Sequence, residues 1–188
     1  LILAGVAVSA VCAALMSLAL NLSPNPYASA EIVFWLMGSV TDRSMDHFLL
    51  AAPFMIAGWA MLAASARSLD ALSLGEESAS SLGVNLNRTR ALVITGTAIS
   101  VGAGTAVTGG LGFVGLVVPH LLRPLVGHIP SRLLLASALG GGSLLLAADI
   151  LVRILIVGTE LKLGVVTAII GAPFFLWLIL RARTELEP

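Results

Sequence analysis

Six apolar stretches follow one another along the chain: Leu1–Leu20, Phe48–Ala64, Ala91–Thr108, Phe113–Val126, Leu133–Val152 and Leu163–Leu180. A bilayer core has no water to satisfy backbone N–H and C=O groups, so whatever enters it must be a helix or part of a closed β-barrel. Barrel strands alternate apolar and polar residues, whereas these runs are continuous. Five of them are 17 to 20 residues long, the length of a spanning helix. The expected fold class is therefore all-α, a polytopic transmembrane bundle with about six membrane segments. Composition agrees: 58% of residues are apolar and 11% charged, with a mean hydropathy of +1.04. Soluble domains run at about 45–50% and about 25%.

The fourth stretch is the odd one. Phe113 to Val126 is fourteen residues, about 21 Å at the helical rise against roughly 30 Å of hydrocarbon. It carries Pro119, His120, Arg123 and Pro124. An arginine at the centre of a lone membrane helix costs at least ~2.5 kcal/mol, so neighbouring helices must shield this segment. His120 is expected to make a buried hydrogen bond rather than to bind metal.

Basic residues set the orientation. Counting on alternate sides of the six crossings places Arg67, Arg88, Arg90, Arg123, Arg132, Arg181 and Arg183 on one side, and Arg43, Arg153 and Lys162 on the other. The positive-inside rule makes the first side cytoplasmic, with both chain ends there. No charged region precedes the first run, which reads as a span and not as a signal peptide. The whole reads as a portion of a longer membrane protein.

Several functions find no support. The chain has no net charge to attract nucleic acid. Its one lysine, Lys162, follows Leu161, so there is no P-loop. His47, His120 and His128 lack zinc-ligand spacing, and Cys12 sits in an apolar run as a small packing residue. No serine occupies a nucleophile elbow. Neither catalytic residues nor a metal site are expected.

Two connections exceed hairpin length. In residues 21–47, Pro24 and Pro26 mark a loop, and Ala30–Val40 is expected to form a short helix at the outer surface. In Arg67–Arg90, Leu72, Gly75, Ala79 and Leu82 recur at spacings of three, four and three, which puts them on one face of a short helix. Gly83 is placed to end it, and Asn87 to cap the next span. This is either a solvated loop helix or a docking element for a cytoplasmic partner. Asp149, the one acid well inside an apolar run, stands four residues before Arg153. A local ion pair is expected there in preference to a proton relay.

Four blocks carry a resemblance: Gly112–Arg123 (GFVGLVVPHLLR), Arg132–Gly142, Ala148–Arg153 (ADILVR) and Glu160–Phe175. Together with Leu74–Val84 (LGEESASSLGV) and Trp35–Gly38, they closely resemble FecCD-type permeases of ABC importers for iron-siderophores, haem and vitamin B12. The resemblance implies a ten-helix permease fold of which this chain supplies helices five to ten, as one incomplete transmembrane domain over residues 1–188. It implies a second permease copy or homologue, two cytoplasmic ATPase subunits holding ATP and Mg²⁺, and an extracytoplasmic binding protein. No cofactor falls on this chain itself.

On that model residues 67–90 are the coupling segment, with Leu74, Gly75, Glu76, Ala79, Leu82 and Gly83 contacting the ATPase. Arg153 would meet carboxylates of the binding protein. Gly5, Ser9 and Ser17 would line the translocation path, while Pro119, His120, Arg123 and Asp149 are structural. Gly96, Ser100 and Gly104 would pack the third span against a neighbour. The implied location is the inner membrane, multi-pass, with a cytoplasmic C-terminus, and the implied cargo an iron-siderophore. The alternatives are a haem or vitamin B12 permease, a truncated non-transporting fragment, or an ion-driven transporter, which would call for midplane carboxylates.

Overall fold

The computed structural model describes residues 2–23, 25–155 and 161–184. Eight helices lie among them: α1 (Ile2–Leu22), α2 (Pro26–Leu36), α3 (Met45–Leu72), α4 (Glu76–Ser81), α5 (Leu86–Thr108), α6 (Val114–Val126), α7 (Pro130–Leu155) and α8 (Leu163–Thr184). The expected all-α bundle is what forms. Four helices are long and apolar enough to cross a membrane, over Leu3–Leu22, Met45–Leu72, Leu86–Thr108 and Pro130–Ile154. Two shorter apolar helices, Val114–Val126 and Leu163–Leu178, complete the six.

The chain divides into two compact units, Leu1–Leu36 and Met37–Pro188. In the first, α1 is exposed at every position from Leu3 to Ala19. The expected outer helix over Ala30–Val40 is displaced toward the N-terminus, to Pro26–Leu36. Pro26 opens this helix because the first helical position needs no N–H donor. The Asn25 side chain accepts the Tyr27 N–H at 3.0 Å, which satisfies one free amide of the first turn.

In the second unit α3 and α5 form the closest helix pair. Small residues make that approach possible. A Cβ on Gly58 would lie 2.6 Å from the Gly96 carbonyl oxygen and 2.8 Å from the Ser100 Cβ. Ala51, Gly58 and Ser65 are the buried positions of α3, and Thr89, Gly96 and Ser100 those of α5. Their hydroxyls bond to carbonyls of their own helix, as in Ser65 Oγ to Leu62 O at 2.7 Å and Ser100 Oγ to Gly96 O at 2.8 Å, so none is buried unpaired. Gly96 and Ser100 thus meet the packing expectation. Gly104 does not: a Cβ there would meet nothing within 4 Å.

The short α6 lies against α7 and α8. Its Val117 and Val118 are buried, and Gly140 of α7 lets it in: a Cβ there would come within 2.6 Å of Leu122. Gly127 at φ 77 ends the helix, and Phe113 begins it at φ 65, a left-handed conformation rare for a bulky residue. The Phe113 side chain occupies the space that a Cβ on Gly171 would need.

Candidate functional site

The segment between α3 and α5 is a small, fully specified structure. At the end of α3 the Asp70 carbonyl accepts both the Ser73 Oγ at 2.6 Å and the Ser73 N–H at 3.2 Å. The chain reverses at Gly75, whose φ of 102 and ψ of 154 suit only glycine. Glu76 and Glu77 then fill the first turn of α4, where the helix dipole favours acids. Gly83, at φ 82, ends the helix: its N–H reaches Ser80 O at 2.9 Å and the Val84 N–H reaches Ala79 O at 3.0 Å. This paired closure satisfies two carbonyls that would otherwise lack partners.

Two polar contacts shape the passage from α4 into α5. Asn85, and not Asn87, caps α5, accepting the Arg88 N–H at 3.0 Å. The expectation took the asparagine nearer the apolar run, but the helix starts two residues earlier, at Leu86. Arg90 Nη2 stands 2.6 Å from Glu76 Oε1, an exposed ion pair fourteen residues apart in sequence.

The expected single face over Leu72–Leu82 does not exist as such. Leu72 closes α3, and the break at Ser73–Gly75 resets the register before α4. As a result Ala79 is wholly buried within this chain, while Leu74 and Leu82 are 67% and 66% exposed. Gly75, Glu76 and Gly83 are exposed as well. The segment therefore presents two leucines and an acidic first turn, and uses Ala79 to seat itself.

The other expected positions lie elsewhere. On α7, Arg153 Nε pairs with Asp149 Oδ2 at 2.8 Å, the local ion pair that the four-residue spacing called for. Most of the Arg153 side chain stays exposed, whereas that of Asp149 is largely covered. On α6, Pro119 and Pro124 sit inside the helix and Arg123 in its last turn, where a cation suits the dipole. His120 departs from expectation. Its ring is exposed and stands edge-on to Phe174, centroids 6.2 Å apart, because Val117 and Val118 take the buried face of α6. On α1, Gly5, Ser9 and Ser17 are all exposed, and Ser17 Oγ bonds to Ala13 O at 2.9 Å. Glu160 lies outside the described residues, as do the side chains of Arg181 and Arg183.

The model of the FecCD transport family matches residues 1–181. The chain belongs to that family. It is 39% identical to the hemin transport system permease protein HmuU of Yersinia pestis, over 98% of this chain and 55% of that protein. It is 40% identical to the vitamin B12 import system permease protein BtuC of Klebsiella pneumoniae, over 97% and 55%. Identity is again 40% to the Fe(3+) dicitrate transport system permease protein FecD of Escherichia coli, over 97% and 57%. A solved chain assigned to the metal-chelate type of ABC transporter, in an inward-facing conformation, superposes with a TM-score of 0.82 at 36% identity, covering 96% of this chain and 58% of that one. The chain thus spans a little over half the length of the relatives it matches.

Within this FecCD chain, sequence reasoning missed a second junction, at the end of α5 away from α4. The Ser39 N–H donates to Thr108 O at 2.7 Å and the Gly164 N–H to Gly38 O at 3.1 Å. Gly38, Gly110 and Gly164 meet there backbone to backbone. A Cβ on Gly38 would strike the Gly110 carbonyl, and one on Gly164 the carbonyl oxygens of Met37 and Gly110. Isolated glycines flanking apolar runs were the available signal, but nothing in their spacing says that they meet.

Proposed function

We propose that this chain forms helices five to ten of the permease subunit of an ABC importer in the inner membrane. Paired with a second permease copy or homologue, it would carry an iron chelate of the siderophore type. Two cytoplasmic ATPase subunits, which hold ATP and Mg²⁺, supply the energy, and an extracytoplasmic protein delivers the cargo. The observation that carries this reading is the Leu74–Gly83 segment. It is folded between two positive-φ glycines, tied to α5 through Glu76, and presents Leu74 and Leu82 without cover. A solvated loop has no need of that construction, while an ATPase cleft would take both leucines.

Leu74, Gly75, Glu76, Leu82 and Gly83 supply the contact in this reading, and Ala79 holds the helix in place behind them. The seven-to-three division of basic residues supports placing this segment and the C-terminus in the cytoplasm. Arg153, at the far end of α7, then faces outward for a binding protein. Gly5, Ser9 and Ser17 are candidate lining of the path, since α1 leaves them exposed. A haem or vitamin B12 cargo is the second reading, favoured by the names of two of the relatives.

Co-purification of the complete permease with its ATPase from detergent extracts tests the docking role. Leu74→Asp and Leu82→Asp should each lower ATPase retention about tenfold or more, the expected loss when a charge enters an apolar contact. Unchanged retention in both variants would remove the segment from the interface. Arg153→Glu should weaken binding-protein docking and leave ATPase retention intact; equal docking affinity would dismiss that role. Uptake of labelled ferric chelates set against haem and cobalamin decides the cargo.

A further inference from the structure

We infer that Asp70 is a positioning residue, the fastening through which the Leu74–Gly83 segment moves α7; the inference rests on the importer reading. Asp70 lies in the last turn of α3, and its Oδ1 accepts the Ser131 N–H at 2.8 Å across sixty-one residues of sequence. Ser131 is the first residue of α7 able to donate, since Pro130 before it has no N–H. The Leu133 amide is already bonded to Ile129 O at 3.0 Å. A carboxylate from another helix thus serves as the cap that α7 lacks in its own sequence.

The placement is informative because α3 gains nothing from it. An acid near a helix C-terminus opposes that helix's own dipole, and no basic residue in the last turn of α3 offsets it. The same carboxylate at the N-terminus of α7 is favourable in charge and in hydrogen bonding. Asp70 is therefore placed to serve the junction.

The residue also has a second hold. Through its carbonyl it accepts the Ser73 Oγ and the Ser73 N–H, which start the turn leading directly to Leu74. Main chain grips the exposed segment and side chain grips α7. A pull on Leu74 reaches the first turn of α7 through one residue. The opposite end of that helix bears the Asp149–Arg153 pair, 26 helical residues from Pro130 to Leu155, or about 39 Å. One continuous helix thus connects the candidate ATPase contact with the candidate binding-protein contact, fastened at its near end by Asp70.

The test uses the complete importer, with ATPase and binding protein, reconstituted in liposomes with ferric chelate as cargo. Asp70→Ala should retain the ATPase and its basal hydrolysis, yet move at least about fivefold less cargo per ATP hydrolysed, the lower edge of usual coupling between sites. Asp70→Asn keeps the Oδ1 acceptor and should restore most of that ratio. Amide exchange at Ser131 should accelerate in the alanine variant and not in the asparagine one. An unchanged cargo-to-ATP ratio in Asp70→Ala overturns the inference, as does a parallel loss of ATPase retention and basal hydrolysis, which would mark a merely structural role. If the wild-type protein retains no ATPase at all, the importer reading falls and this inference with it. If wild type couples and Asp70→Ala couples equally, only the fastening is lost.

Discussion

At the end of α5 that carries α4, the joints are polar side chains: Asn85 caps α5, Asp70 caps α7, and Glu76 pairs with Arg90. At the other end the joints between segments are main chain to main chain. Gly38, Gly110 and Gly164 bring three stretches of main chain into contact, and two direct N–H to C=O bonds hold them. The two solutions respond differently to change. A polar cap can lose its partner and re-form with water, at the price of a single hydrogen bond. A glycine junction has no spare space, so any side chain must move backbone.

That contrast predicts a ranking of effects. Gly164→Ala should be the most damaging, since its methyl would meet two carbonyl oxygens that cannot rotate away. A loss of about 3 kcal/mol is expected, at the upper side of overpacking costs, measured as a lowered thermal midpoint in detergent. Asn85→Ala should cost about 1 kcal/mol, the usual value of a helix cap. It should speed amide exchange at Arg88, and Asn85→Asp should reverse the effect. Glu76→Gln should be the mildest at well under about 1 kcal/mol, because the side chains of the ion pair are 63% and 50% exposed. High salt should erase the difference between that variant and wild type. Should Asn85→Ala prove worse than Gly164→Ala, the two ends of α5 do not differ in their tolerance of change.

The same contrast explains what could be read in the sequence. Hydropathy located all six apolar helices, because lipid compatibility is a local property of each run. It cut α3 short, at Ala64 in place of Leu72, since the last two turns, bearing Ser65, Arg67 and Asp70, stay helical after the sequence stops being apolar. The four-residue spacing of Asp149 and Arg153 foretold their pair, as helical geometry is also local. Gly83 was legible as a helix end for the same reason. Asp70 was not singled out, because its partner Ser131 is brought to it only by the packing of α3 with α7. The register of α4 differs from the expected one because Gly75 interrupts it, and this is why Ala79 is buried within the chain while Leu74 and Leu82 are exposed. His120 looked buried by virtue of its apolar neighbours, but a helix has two sides, and the valines claimed the inner one.

The rigid framing of α4 carries a thermodynamic consequence. Disordered loops that fold upon a partner give up several kcal/mol of conformational freedom at the moment of contact. Here the Ser73 bonds to Asp70 O, the Val84 N–H bond to Ala79 O and the burial of Ala79 hold the backbone beforehand. Association through Leu74 and Leu82 should then show a small heat-capacity change, matching only the area of two leucines and their surroundings. It should also proceed in a single kinetic phase, with no slower ordering step after encounter.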